Sequence, residues 1–329
     1  MNEFTKIPDN DVSDADVSGS DVAKPTLSLI ERAAQIYDFG SALRDGAAAA
    51  IPVPPVRPMP EPVPKTAPNA VTATLEPAIA KLPPLYEARG DFHPLDRESL
   101  VAEGFVDPAG PPTGLSEELR IMKRQLLARA FAPDATPRDR LVLISSAHPG
   151  DGKTWLTINL ALSLSAERDL DILLVDSDVG KPSLCKQLGL PAGPGFMDIL
   201  VDPSLDVASL VVRTDLPNLS VLRAGRQLND DTEVLASDRT RAVLDSLVAG
   251  SPRRVVLFDS PPALAASAAS ELARYVGLVL LVVRADKTSD VALRDAAQLL
   301  SACPNIHAVL NGVKFSSSGR LFGAYGKRS

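Results

Sequence analysis

Two cysteines in 329 residues are too few for a disulfide framework. Cys185 and Cys303 stand far apart, with no CxxC or metal-ligand spacing, so a reducing cytoplasm is the default compartment. Aromatic residues make up 4% of the chain against 45% hydrophobic residues overall, so any core must be aliphatic. No apolar run approaches the roughly 18–20 residues of a membrane span. The longest, such as Val276–Val283, has the length of a buried strand. Met1–Asp21 carries six acids and one lysine, which is not the pattern of a signal peptide. An excess of basic charge is missing too. With a formal charge of −7 the chain has a poor electrostatic footprint for nucleic acid.

Proline is abundant and unevenly placed. Of 29 prolines, 17 lie in residues 1–113, where 9 basic residues face 17 acidic ones. The remaining 216 residues are nearly neutral and are enough for one large α/β domain. Composition therefore predicts an acidic, proline-rich, largely disordered region over 1–113, a compact domain over 114–312, and a flexible tail over 313–329. Within the first region, Leu27, Leu29, Ile30, Ala33, Ala34 and Tyr37 form an apolar stripe at helical spacing. This predicts a short helix over 26–37, either a docking element or a helix that packs on its own domain. Ile51–Pro84 holds eleven prolines and predicts a semi-rigid polyproline II spacer.

From Gly114 the pattern becomes regular. Helical windows at Leu115–Ala130, Thr154–Ala166, Thr232–Leu247 and Ser289–Ala302 alternate with short apolar runs. Those runs are Arg140–Ser146, Leu170–Asp176, Leu219–Leu222, Val255–Asp259, Val276–Val283 and Ile306–Leu310. Strands apolar on both faces, alternating with helices, predict an α/β fold with a mostly parallel sheet covered on both sides.

Three of these strands end in chemistry. After the first comes Ala147-His-Pro-Gly-Asp-Gly-Lys-Thr154, opening a helix. Gly150 and Gly152 permit a tight backbone that can surround phosphate oxygens, and the helix N-terminus adds partial positive charge. Pro149, Gly150, Asp151, Gly152, Lys153, Thr154 and Trp155 are thus candidates for a nucleotide site. Lys153 would reach the β/γ-phosphates and Thr154 would ligate Mg²⁺. The second strand ends in Asp176-Ser-Asp178, two carboxylates on one pleat face at the carboxyl edge. The third ends in Asp259-Ser-Pro-Pro262, a Walker B form whose aspartate would hold Mg²⁺. His148, His93 and His307 have no partners at metal-ligand spacing and carry no catalytic assignment.

Together, AHPGDGKT, LLVDSD and VLFDSPP resemble the Walker A, A′ and B motifs of bacterial tyrosine kinases, which are P-loop NTPases related to MinD and ParA. The segment EELRIMKRQLL, with Glu117, Arg120 and Lys123, resembles that family's oligomer-interface motif E-x2-R-x2-R. The likeness is nearest to the exosortase-associated autokinases of exopolysaccharide loci. It covers about residues 95–312, plus the Ser28–Ala33 helix. The resemblance implies ATP and Mg²⁺ as cofactors, with Lys153, Asp176 and Asp178 as catalytic groups and Asp176 as base or orienter. It implies metal binding by Thr154, Asp178 and Asp259, adenine contact by Asn311, and Tyr325 as phosphoacceptor. It also implies a homo-oligomer cycling with phosphorylation, peripheral to the inner membrane through a separate-chain polysaccharide co-polymerase. Three departures stand out: Lys123 where the interface motif has arginine, Gly180 where an arginine is usual, and one tail tyrosine instead of a cluster. The last keeps open a MinD/ParA-like ATPase switch, or a nucleotide-binding scaffold, with little kinase activity.

Overall fold

The structure, a computed structural model, describes residues 87–313. The predicted 26–37 helix, the proline-rich stretch and Tyr325 lie outside the described residues.

The described strands are β1 (Leu141–Ser146), β2 (Asp171–Asp176), β3 (Val211–Arg213), β4 (Leu219–Leu222), β5 (Arg254–Asp259), β6 (Leu278–Arg284) and β7 (Ile306–Asn311). They form one sheet in the order β3-β4-β2-β5-β1-β6-β7. Every pairing is parallel except that of β3 with β4, at one edge. The helices that matter below are α1 (Gly114–Ala130), α2 (Lys153–Ser165), α3 (Asp231–Leu235), α4 (Asp238–Ala249), α5 (Ala268–Ala273) and α6 (Asp290–Leu299). This is the α/β architecture that the alternating pattern predicts.

The apolar runs are unbroken because both faces of the sheet are covered. Leu141 and Leu143 enter one core, Val142 and Ile144 the other; β2, β5 and β6 divide the same way. One core contains the tilted ring pair Phe196 and Phe258, 6.1 Å apart. α2 lies on the opposite face and is buried nearly all round, from Leu156 through Leu162. Among the described residues no helix is long and apolar enough to cross a membrane.

Three features differ from the pattern. The single helix predicted over 232–247 is two, α3 and α4, because the Ser237 side chain accepts from Thr240 N and caps a fresh start. β3 is three residues long, too short for periodicity to register. Third, the composition boundary at 113 falls inside folded structure. Gly90 N and His93 N donate to Val211 O and Arg213 O of β3. Leu95, Leu100, Phe105 and Val106 are buried in the core on the α2 face. Val106 N donates to the Oδ1 of buried Asn159 on α2 at 2.9 Å. A few well-spaced apolar anchors suffice here, and an average over 113 residues conceals them.

Candidate active site

Strand order decides where the chemistry collects. β2, β5 and β1 are consecutive, so the loops at their carboxyl ends converge. Register sharpens this: Asp176 stands opposite Asp259, and Ile144 opposite Asp259 on the other side. Three motifs far apart in sequence thus meet at one edge of the sheet.

The loop after β1 turns through Gly150 at φ +84° and Gly152 at φ +101°, a region that disfavours side chains. Ser146 Oγ donates to His148 O at 2.8 Å, and His148 N donates to Asp151 Oδ2 at 2.9 Å. Asp151 is therefore turned inward, 4% exposed, as a clasp within the loop. His148 takes part through its backbone. Lys153 begins α2, and its Nζ pairs with Asp178 Oδ2 at 2.9 Å. Thr154 Oγ1 shares a 3.2 Å hydrogen bond with Ser183 Oγ.

Beneath that pair lies a buried carboxylate cluster. Asp176 and Asp259 are completely buried, and Oδ2 of each has no hydrogen-bond partner. Asp176 Oδ1 accepts from Asp178 N at 3.2 Å, and Asp259 Oδ1 accepts from Thr157 Oγ1 at 3.3 Å. Burial, reinforced by the neighbouring Asp259 charge, pushes Asp176 up to about 8. Burial also pushes Asp259 up to about 6, against the pull of Lys153. Unsatisfied buried oxygens are uncommon in folded proteins and fit a site that a cation completes. Among the described residues no three His, Cys, Asp or Glu side chains form a ready-made cage. Mg²⁺ does not need one, since it usually takes one or two protein oxygens, substrate phosphates and water.

A cavity of about 620 Å³ opens over the loop. Pro149, Gly150, Gly152, Lys153, Thr154, Trp155 and Asp178 line it, so most of the predicted nucleotide residues come together. Asp151, Asp176, Asp259 and Asn311 do not line it: Asp151 clasps the loop, the two carboxylates lie below, and Asn311 is on β7. Five polar wall residues carry no signal in the motifs: Ser183, Gln187, Asp231, Thr232 and Ser267. Ser183 follows the Gly-Lys-Pro break after β2 and could have been suspected. Thr232 and Ser267, whose hydroxyls meet at 2.9 Å, come from elements 35 residues apart.

The interface candidates separate. Glu117 and Arg120 pair with each other at 2.7 Å near the surface of α1. Lys123 does not join them. It is 7% exposed, donates to Ser163 O at 3.0 Å and pairs with Glu167 at 2.8 Å. Helix geometry explains the difference: Glu117, Arg120 and exposed Arg124 are spaced i, i+3, i+7 on one face, and Lys123 turns toward α2.

Fold and site together define a P-loop nucleotide-binding domain with carboxylates at the ends of β5, beside the loop strand, and of β2, the next strand out. No family model matches the chain. YwqD of Bacillus subtilis (strain 168), a tyrosine-protein kinase, is 29% identical over 235 residues, 71% of this chain and 95% of that protein. The tyrosine-protein kinase ptk of Acinetobacter johnsonii is 29% identical over 154 residues, 47% of this chain. That stretch spans about a fifth of the Acinetobacter protein, 20% of its length. The BceF tyrosine kinase domain superposes with a TM-score of 0.53 at 25% identity, covering 68% of this chain and 92% of that domain. By sequence and by fold the chain is similar to the bacterial tyrosine-protein kinases.

Proposed function

We propose that this chain is an ATP-dependent protein-tyrosine autokinase that regulates exopolysaccharide synthesis or export. The observation carrying this reading is the meeting of Lys153, Asp178, Asp176 and Asp259 at one sheet edge, with two carboxylate oxygens lacking partners. Phosphoryl transfer asks mainly for positioning and electrostatics, which this arrangement can supply. The backbone of residues 149–154 would hold the phosphates. Mg²⁺, held by Thr154, Asp178 and Asp259, would neutralise phosphate charge and polarise the transferred group.

Lys153 and Asp178 neutralise one another at 2.9 Å. Lys153 would leave Asp178 for the β/γ-phosphates, freeing that carboxylate for the metal. The buried Asp176 Oδ2 is the proposed proton acceptor. That atom has no partner, and its elevated proton affinity suits it to take the proton of an acceptor tyrosine hydroxyl. The tyrosine oxygen would then bond to the γ-phosphorus as the bond to the β–γ bridging oxygen breaks. Tyr325 is the proposed acceptor in trans. Glu117, Arg120 and, in place of Lys123, Arg124 are the proposed contacts between copies. A membrane polysaccharide co-polymerase on a separate chain would hold the enzyme at the inner membrane, with the 26–37 segment as attachment.

One observation favours a second reading. The chain has four tyrosines, and residues 314–329 hold one of them, Tyr325, where a multi-charge switch would use several. An ATPase switch or scaffold would need none. Incubation with γ-labelled ATP and Mg²⁺ separates these readings. A kinase labels the wild-type chain, Lys153→Met loses the label, and Tyr325→Phe loses most of it. Phosphate release without label would point to the switch, and nucleotide binding without turnover to the scaffold.

A further inference from the structure

Asn311 ends β7, and the family resemblance gives it one task, contact with adenine. Its side chain has another partner in this structure. Asn311 Nδ2 donates to the carbonyl oxygen of Asp151 at 2.8 Å, linking the last strand to the phosphate loop. The approach is so close that a Cβ on residue 152 would collide with that nitrogen. Gly152 is therefore required twice, for its φ of +101° and for the room it leaves Asn311.

The consequence follows from the peptide bond. Asp151 C=O and Gly152 N–H belong to one planar trans unit and point in opposite directions. A donor that fixes the carbonyl on the β7 side aims the Gly152 N–H to the other side. Gly152 lines the cavity and Asn311 does not. The brace itself stands on a firm base: Asn311 is in register with Arg284 of β6, and Ala285 N donates to Asn311 O at 2.9 Å. Asp151 is also clasped from inside the loop by His148 N, so the peptide unit is held from two directions.

We propose that Asn311 is a positioning residue for phosphate: it orients the Asp151–Gly152 peptide so that the Gly152 N–H faces bound phosphate, whatever base the nucleotide carries. This rests on the P-loop reading of the site and adds to it a task that base recognition does not require.

The test titrates the full chain calorimetrically, in Mg²⁺, with inorganic tripolyphosphate, ATP and GTP. Wild type is compared with Asn311→Ala and with Asn311→Leu, which keeps the volume but has no donor. Both variants are expected to bind tripolyphosphate and ATP about five- to tenfold more weakly, the effect of one lost hydrogen bond. The ATP-to-GTP affinity ratio should stay at the wild-type value, and the unfolding midpoint should move by no more than a few degrees. Unchanged tripolyphosphate affinity overturns the proposal. So does a loss confined to ATP with a narrowed ATP-to-GTP ratio, which returns Asn311 to base contact alone. Unfolding of both variants would overturn it as well, making Asn311 a stability residue. A wild-type chain that binds none of the three ligands sinks the P-loop reading itself, a distinct result.

Discussion

The two ends of the central sheet bury charge in opposite ways. At the amino ends of the strands, Arg254 is 4% exposed, with Nε on Asp171 Oδ2 at 2.6 Å and Nη1 on Leu247 O at 2.9 Å. Arg140 donates to Ser251 O at 2.6 Å, and Arg138 to Tyr275 O at 2.9 Å and to Arg274 O. Asp139 accepts from Thr136 N and Thr136 Oγ1 and pairs with Arg129 at 2.8 Å, although the buried Arg129 Nε itself has no hydrogen bond. At the carboxyl ends, Asp176 and Asp259 are buried deeper yet each keeps an oxygen without a partner. The same covalent material is thus used for cohesion at one end and held in a costly state at the other. Partnered burial of a carboxylate stabilises the fold; unpartnered burial of two facing carboxylates is costly and fits a site that a cation completes.

Mutations can break this contrast. The largest effect is expected for Lys153→Met, with labelling from γ-labelled ATP falling at least about 100-fold. Next is Arg254→Met at the opposite end, which strands Asp171 and a buried carbonyl. It should cost about 3 kcal/mol in urea unfolding. Asp259→Asn should act with the reverse sign in nucleotide-free protein, adding on the order of 1–2 kcal/mol by removing a buried like charge. It should also abolish Mg²⁺-dependent labelling. If Asp259→Asn destabilised as much as Arg254→Met, the two ends would be alike and the distinction would fail.

The smallest effect concerns pH. Burial alone would raise Asp139, but hydrogen bonds from Thr136 and the Arg129 charge together hold it below its usual value of 3.8. A carboxylate lowered in the folded state contributes stability above its unfolded pKa and loses it as pH falls through the folded one. The advantage of wild type over Asp139→Asn, about 1 kcal/mol near neutrality, should therefore shrink as pH drops below about 4. Urea unfolding of both proteins at pH 7 and pH 3 measures it; a gap that widens in acid would contradict the assignment.

Much of this was legible in the sequence because the central strands bury both faces and so read as unbroken aliphatic runs. β1, β2 and β5 all announce themselves, and each ends in its own motif. β3 did not, being three residues long and an edge strand. Nor did the folding of residues 87–106 onto the domain, which rests on four buried side chains in a segment of otherwise polar composition. The inward turn of Lys123 was hidden for a related reason. A motif written as spacings does not say which residue of a Lys-Arg pair faces inward, and the packing of α1 on α2 chose Lys123.

The sequence alone determined the fold class, the phosphate loop and the three strand-end aspartates. These are local matters: aliphatic periodicity, two glycines before a lysine, a carboxylate after a buried run. Only the tertiary structure decided that β5 lies between β1 and β2, because strand order depends on crossovers that no local pattern encodes. From that order came the apposition of Asp176 and Asp259, their elevated proton affinity, and the reach of Asn311 to Asp151 across 160 residues. Proximity between distant segments arises from packing, and it is proximity that turns separate motifs into one site.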